Sequence, residues 1–361
     1  MNRNANSQSA GQMIGLISGQ QVVGLDIAKS VFQLHSVDMG TGEIVNMQLK
    51  RAKVLEYFAN HQPCLIGIEA CGGAHHWARE LQALGHSVRL IHAKAVRPFV
   101  SGNKTDATDA RAIWLAVQQP GTKFVGIKSE EQQATLVLHR QRELLMKMRV
   151  MQTNALRGLL YEFGATFGRG KNALFSEIEA ALETLLAKNS LPQYVADSLR
   201  EQVGRIKALD QDIKSIEQRL QERLKSNAQM KRIAHIPGVG LLTATAAIAT
   251  MGEASAFKSG REFCAWLGLV PRQSGTGGKV KLLGISKRGD TYLRTLLIHG
   301  ARSVLSHSKE PVPWLEQLQQ RRPTNVVIVA QAAKMARTIW AVTAKEQNYQ
   351  RGYQSTRPQT A

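Results

Sequence analysis

Four acidic residues fall where an α/β protein presents side chains for chemistry. Asp26 follows an apolar, strand-like run, Glu69 ends another, and Asp106 and Asp109 stand three residues apart at a helix start. This spacing puts both aspartates on one face of a helix. If the two strands are neighbours in a sheet, the four carboxylates converge, and such crowding of like charges requires compensating cations. Two Mg²⁺ ions would supply the compensation and clamp a phosphodiester for in-line attack.

Each of these acids also has an ordinary explanation. Asp26 or Glu69 alone is typical of a solvated carboxylate at a strand end. Asp106 is a suitable helix N-cap, and Asp109 is a first-turn acid favoured by the helix dipole. The joint pattern outweighs these separate explanations, because the elements follow one another in the order of a ribonuclease-H-like fold.

Cations accompany the acids, since Lys104 and Arg111 flank the aspartate pair as a phosphate-facing site requires. The segment GLDIAKS at 24–30 also resembles the first phosphate loop of actin-like kinases, which share this sheet order. A second strand–Asp–Gly phosphate loop is missing from the sequence, and the Asp106 and Asp109 pair has no place in that scheme. The kinase interpretation is therefore minor.

A second group of residues offers hydroxyls among cations. Residues 271–284 read as a flexible, glycine-rich loop that carries Ser274 and Thr276. A hydroxyl beside several cations suits attack on phosphorus, because the cations stabilise the developing charge. A basic loop that only grips phosphate, without chemistry, explains the same spacing. The neighbouring cations are Arg272, Lys279 and Lys281.

Two further motifs are typical of phosphate binding. The run IPGVG at 236–240 has the glycine spacing of a helix-hairpin-helix, whose backbone amides at Gly238 and Gly240 bind phosphate without reading sequence. An ordinary tight turn between helices is the alternative. The run SKRGD at 286–290 opens a basic helix. Its cations are Lys287, Arg288 and Arg294.

The composition indicates a globular protein with a polyanionic partner. The chain has 361 residues, 43% of them hydrophobic, a formal net charge of +20 and a pI near 10.2. Such a charge favours nucleic acid over an anionic membrane as partner. The N-terminus has no apolar segment of a secretory signal, and no apolar run is long enough to span a bilayer. We therefore expect a cytoplasmic protein without membrane attachment.

Hydrophobic periodicity predicts three structured regions between disordered ends. Residues 21–125 alternate as β-β-β-α-β-α-β-α, an α/β mixed sheet. Residues 126–228 are strand-free helix, and the apolar seam from Ile206 to Leu220 predicts an antiparallel or intermolecular coiled coil. Residues 229–345 are mostly helical and punctuated by glycine. A leader at 1–20 and a tail at 346–361 are predicted to be disordered.

The chain resembles the transposases of the 110/1111 family of insertion sequences from residue 21 to about 343. The resemblance rests on LDIAKS, IGIEACG, KTDATDARAIW, the IPGVG hairpin and the block LGLVPRQ…GGK…LLGISKRGD. It implies a RuvC-like domain with an Asp-Glu-Asp-Asp site, a coiled coil and a C-terminal domain with a nucleophilic serine. The acids map to Asp26, Glu69, Asp106 and Asp109.

The resemblance maps the serine less directly. The place of the family's serine is taken here by Gly275, with Ser274 one position earlier and Thr276 one later. Ser274 is the predicted nucleophile and Thr276 the second choice.

The function implied is transposition, by cutting and rejoining DNA strands with Mg²⁺ and a serine. The resemblance also implies an element-encoded guide RNA, a dimer or tetramer, and a nucleoid-associated location. Two other functions stay open: a RuvC-like, structure-selective nuclease, and a non-catalytic basic scaffold for nucleic acid. A covalent protein–DNA adduct separates the first function from both others, and metal-dependent cleavage separates the nuclease from the scaffold.

Overall fold

The computed structural model describes residues 21–38, 40–103, 105–277, 279–308 and 313–353. The chain divides into two compact units, Met1–Glu130 and Glu131–Ala361. The predicted leader at 1–20 lies outside the described residues, as does the end of the predicted tail. The tail residue Tyr349 packs partly buried against the core of the second unit, so ordered chain continues beyond the predicted end at residue 345.

The first unit is built on a six-stranded mixed sheet of order β3-β2-β1-β4-β5-β6. Strands β1, β4 and β5 run parallel to one another, and the remaining pairings are antiparallel. The expected mixed sheet with three consecutive N-terminal strands is confirmed. The strands are β1 (Val22–Asp26), β2 (Val31–Val37), β3 (Ile44–Lys50), β4 (Leu65–Glu69), β5 (Ser87–Ile91) and β6 (Phe124–Val125).

The helices of this unit cover the sheet. The longest, α4, begins at Asp106 behind a capping box in which Thr105 and Thr108 exchange hydrogen bonds. It crosses β1 at Gly24, where a Cβ would lie 2.2 Å from the carbonyl oxygen of Ala110. Only glycine allows this approach of helix and strand. The helices are α1 (Val54–Ala59), α2 (Ala74–Ala83), α3 (Ala93–Val96) and α4 (Asp106–Gln118), with short 3₁₀ turns at Arg51–Lys53 and Arg97–Phe99.

The second unit opens with three long helices. They are α5 (Glu130–Tyr161), α6 (Lys171–Ala187) and α7 (Gln193–Ser226). The first and third lie antiparallel: Arg142 pairs with Glu217 at 2.7 Å, and Arg149 pairs with Asp210 at 2.8 Å. The predicted apolar seam of α7 is buried within this chain. Ile206 and Leu220 are both fully buried, so other residues of the same chain cover both ends of the seam.

The remaining chain forms a helical domain with one hairpin. Its core gathers apolar residues of every helix of this domain except Pro313–Arg321, with Phe263, Leu293 and Ile339 fully buried. Within the described ranges, Thr324–Ala344 is the one helix long and apolar enough to cross a membrane, and half of its apolar stretch is buried. The elements are α8 (Ala228–Ala234), α9 (Leu241–Met251), α10 (Gly260–Trp266), β7 (Pro271–Thr276), β8 (Lys279–Ile285), α11 (Thr291–His307), α12 (Pro313–Arg321) and α13 (Thr324–Ala344).

Candidate functional site

Two carboxylates lie side by side at one edge of the sheet. Asp26 ends β1 and Glu69 ends β4, and the parallel register pairs Leu25 with Ile68 immediately before them. Both acids are half-buried. Burial, together with the charges of Glu69 and Asp26, raises the pKa of the neighbouring Cys71 thiol. The charges of both acids therefore reach the same thiol, as expected for residues that end neighbouring parallel strands.

The other two acids stand in the first turn of α4. Asp106 is exposed and Asp109 is half-buried. The contact of Ala110 with Gly24 fixes this end of the helix against β1, and the Trp114 indole donates to the carbonyl of Val22 at 3.1 Å. Since residue 110 faces position 24 and residue 114 reaches position 22, the first turn of α4 extends toward the Asp26 end of the strand.

The four acids do not form a closed ligand cage. Among the residues that the structure describes, no three His, Cys, Asp or Glu side chains are gathered closely enough to hold a metal ion. The donors are nonetheless all carboxylates, which is the ligand chemistry that Mg²⁺ prefers. The predicted phosphate contact Lys104 lies outside the described residues. Arg111 is exposed and donates to Ser101 Oγ at 3.5 Å.

The expected flexible loop at 271–284 is instead a β-hairpin, so this prediction is wrong. Strands β7 and β8 pair antiparallel. The period-2 alternation of Lys279, Val280, Lys281 and Leu282 is a strand pattern, and Gly277 has the positive φ of +57° that the turn requires. The sequence contained this signal, but the glycines dominated its interpretation.

The hairpin groups the predicted nucleophile with its cations. Ser274 lies opposite Lys281, and Thr276 lies opposite Lys279. Residues directly opposite in an antiparallel pair, and residues two apart in one strand, share a face. Both hydroxyls and both lysines therefore share one face, and all four residues are exposed. The register shifts between Pro271 and Gln273, next to the exposed Arg272.

The base of the hairpin is held by Gly268, Gly289 and Arg294, which together are called the clamp below. Gly268 and Gly289 both have positive φ, and a Cβ on Gly289 would lie 1.9 Å from the carbonyl oxygen of Trp266. The Arg294 guanidinium donates to the carbonyls of Leu267 at 3.0 Å and Arg288 at 2.8 Å. The exposed part of the hairpin thus projects from a tightly packed turn.

Arg294 does not fit its predicted role as a nucleic-acid contact. The residue is only 7% exposed, and its guanidinium is committed to the backbone carbonyls of the clamp and to Thr291 Oγ1 at 3.0 Å. It lies on the inward face of α11, which charge alone does not reveal. Lys287 and Arg288, from the same motif, are exposed and available to an anion.

The glycine turn between α8 and α9 serves packing at one position and is open at the other. Gly238 has φ +84°, and a Cβ there would lie 2.7 Å from the carbonyl oxygen of Gly300. Glycine is therefore required at 238 by the close approach of two backbones, and the phosphate contact of its amide stays a prediction. Gly240 is exposed, with no other residue within 4 Å of a Cβ, and precedes the amides that open α9.

The burial of His139 on α5 was not predicted from the sequence. His139 is 2% exposed; its Nδ1 lies 3.0 Å from Tyr292 Oη and its Nε2 lies 3.0 Å from Thr245 Oγ1. Burial, and secondarily the charge of Arg142, lowers the pKa of His139 to about 4. The neutral imidazole thereby joins α5 to α9 and α11. The sequence showed only a histidine on a basic helix.

Comparisons with known proteins agree with these features. A family model described as a transposase of the DEDD type of IS110 matches residues 23–164, and the model of the transposase IS116/IS110/IS902 family matches residues 230–314. A probable family 20 transposase of Pseudomonas aeruginosa is 46% identical over 335 residues, which cover 91% of this chain and 98% of that protein.

Two further relatives are named for insertion sequences. The transposase for element IS1111A of Coxiella burnetii is 38% identical, covering 92% of each chain. The transposase for element IS1328 of Yersinia enterocolitica is 36% identical, covering 90% of this chain and 97% of that protein. The resemblance drawn from the sequence motifs is confirmed. With its mixed sheet, its strand-end acids and relatives that match over nearly their whole length, the chain belongs to the IS110 family of transposases.

Proposed function

We propose that this transposase cuts and rejoins DNA strands with Ser274 as nucleophile and with Mg²⁺ held by Asp26, Glu69, Asp106 and Asp109. The observation that carries the proposal is made at the carboxyl ends of the neighbouring strands β1 and β4. Two carboxylates lie side by side there, and the first turn of α4 extends toward them. A phosphodiester is the substrate that this donor set suits.

The carboxylates are the residues that would hold the metal. Asp26 and Glu69 are half-buried on rigid strands, which favours their role as fixed ligands. Asp106 and Asp109 stand in the first turn of α4, which extends toward the Asp26 end of β1, so they are the candidates for the remaining ligands. When bound, Mg²⁺ neutralises charge on the phosphate oxygens and orients the scissile bond.

Ser274 would perform the covalent step. Its Oγ loses a proton and forms a bond to phosphorus, while the bond between phosphorus and one deoxyribose oxygen breaks and that oxygen gains a proton. Lys281, directly opposite Ser274, would stabilise the charge that develops on the phosphate. The reverse step, with the deoxyribose hydroxyl of a new strand, restores the serine and rejoins the DNA. Thr276, opposite Lys279, is the second choice.

Nucleic-acid binding is supported by charge and exposure. The net charge is +20, and the exposed cations near Ser274 include Arg272, Lys279, Lys281, Lys287 and Arg288. Contacts of this kind hold phosphates without reading sequence. The backbone amides of Gly238 and Gly240, and those that open α9, would bind further phosphates. The guide RNA, which the family resemblance implies, would supply sequence recognition, and the site of action would be the cytoplasmic nucleoid.

A homo-oligomer is supported by an unpaired apolar stripe on α5. Val137, Leu144, Met148 and Met151 are 51%, 58%, 36% and 63% exposed, and their spacings of seven, four and three residues place them on one helix face. Since the seam of α7 is already buried within the chain, we propose that a second copy covers the α5 stripe.

Light scattering tests this interface. The double variant Leu144→Glu, Met151→Glu should have a lower molar mass than the wild type, whereas Glu143→Gln should keep the wild-type molar mass. Unchanged mass of the double variant would exclude this interface.

The experiment that tests the proposed function is strand cleavage of DNA spanning an element end. Asp106→Asn should reduce Mg²⁺-dependent cleavage by about a thousandfold or more, while DNA binding changes less than about twofold, because a ligand charge is lost and the cations remain. Asp38→Asn, an acid of the turn between β2 and β3, is the matched control. Cleavage by Asp106→Asn at the wild-type rate would contradict the metal site. Cleavage without any covalent adduct would favour the nuclease function.

A further inference from the structure

An apolar pocket of about 660 Å³ opens at the base of the serine hairpin, within the second unit. Its walls come from α10, from the residues that lead into β7, from the last residues of β8, and from α12 and α13. Pro271, at the start of β7, lines it and lies only three residues before Ser274. At the rise of a β-strand this separation is about 10 Å. Ser274 and the pocket are therefore neighbours along the hairpin, with Pro271 on the face of β7 opposite to Ser274.

The lining combines an apolar floor with a cationic rim. Val329 and Ala330 of α13 contribute to the floor, and Trp314 of α12 supplies an aromatic ring. The ammonium of Lys334 lies 4.6 Å from the centre of that ring. Arg261 and Arg337 line the pocket and are exposed, and no acidic side chain occurs among its described lining residues.

This chemistry fits a nucleotide better than an apolar ligand. An unstacked base needs an aromatic or apolar surface for its faces, a polar group for its edge and cations for its phosphates. Trp314 supplies the first requirement. Asn325, whose amide can pair with a base edge, lines the same pocket. The two arginines supply the third, and the volume lies in the range of small-molecule sites.

We propose that the pocket receives an unstacked nucleotide of the DNA strand that Ser274 attacks. This inference rests on the proposed function, because it is the position of the nucleophile that places a DNA strand beside the pocket. Strand exchange requires bases near the cut to leave their duplex partners, and a pocket that accepts one of them would stabilise the opened state.

Binding of a fluorescent 12-nucleotide single-stranded DNA to the full chain tests the inference. Ala330→Trp fills the pocket and should weaken binding about tenfold, as expected for the loss of one stacked base. Binding of a duplex of the same sequence should change less than about twofold. Ala265→Trp, at an exposed position of α10 that does not line the pocket, is the matched control. Equal affinity of the two variants for single strands would overturn the proposal.

A second measurement uses the unaltered protein and so does not depend on the folding of a variant. A single-stranded DNA carrying 5-iododeoxyuridine, irradiated in complex with the wild type, should cross-link to Trp314. Cross-links confined to residues outside the pocket, or preferential capture of an RNA of the same sequence, would overturn the assignment to DNA. If Trp314 cross-links but Asp106→Asn cleaves normally, the proposed function fails and the nucleotide pocket stands.

Discussion

The acidic edge of the first unit and the serine hairpin of the second are positioned by different means. The acids lie at the ends of buried strands and on a helix that touches β1 at van der Waals distance through Gly24. The hairpin has exposed residues along nearly its whole length, and close packing holds only its base. In the proposed function, the rigid acidic edge would hold the metal ions and the projecting hairpin would carry the nucleophile.

The largest expected effect concerns the rigid packing of α4 on β1 in the first unit. Gly24→Ala would place a Cβ 2.2 Å from the Ala110 carbonyl oxygen, and neither backbone can move without disturbing the sheet. We expect a loss of about 4 kcal/mol or more in the free energy of unfolding, or no folded protein. Gly204→Ala in α7, where a Cβ would meet nothing within 4 Å, should instead stabilise by up to about 1 kcal/mol. Thermal unfolding of both variants checks the pair, and tolerance of Gly24→Ala would show that the helix is not fixed there.

The next effect concerns the core that supports the hairpin. Burial, and secondarily the charge of Arg142, lowers the pKa of His139 in the folded state from its ordinary value of 6.5 to about 4. Between pH 6.5 and pH 4 this histidine is therefore protonated in the unfolded chain and neutral in the folded chain. The free energy of unfolding falls as the pH decreases through this range. The contribution of this residue should reach about 3 kcal/mol at the acid end. His139→Asn should flatten the pH dependence of the unfolding temperature, whereas the exposed His307→Asn should not. Parallel profiles of His139→Asn and wild type would refute the assignment.

The smallest effect separates the clamp from the exposed cations beside it. Arg294→Ala should destabilise by about 2–3 kcal/mol, because buried carbonyls lose a charged donor. Arg288→Ala should change stability by less than about 0.5 kcal/mol and weaken DNA binding. Unfolding curves and binding isotherms of the two variants give opposite patterns if the clamp is structural. Matching patterns would remove the distinction between the buried arginine of the clamp and the exposed cations beside it.

The same difference explains what could be predicted from the sequence. Alternation and apolar runs predicted the strands that carry Asp26 and Glu69, because burial on a sheet imposes a period of two. The helix of Asp106 was predicted from its amphipathic run, but its N-cap is Thr105 and not Asp106. Strand neighbours and their register follow from tertiary packing, but the order of elements was enough to place the acids at one edge.

The hairpin and the clamp were beyond this reasoning. Residues 271–285 bury almost nothing, so the burial pattern that identifies a strand was weak, and the glycines suggested a loop. The inward direction of Arg294 and the close approach of Gly238 to Gly300 depend on residues distant in sequence. The sequence alone does not show whether a given arginine or glycine faces solvent or the core.

The identity of the residue that becomes joined to DNA tests the central claim most directly. Wild-type protein, incubated with Mg²⁺, DNA spanning the element end and RNA transcribed from the element's non-coding segment, would be quenched in detergent, digested and examined by mass spectrometry. We predict a nucleotide phosphate on Ser274, its absence in Ser274→Ala and its retention in Thr276→Val. A phosphate on Thr276, or recombination by Ser274→Ala, would contradict the assignment of the nucleophile.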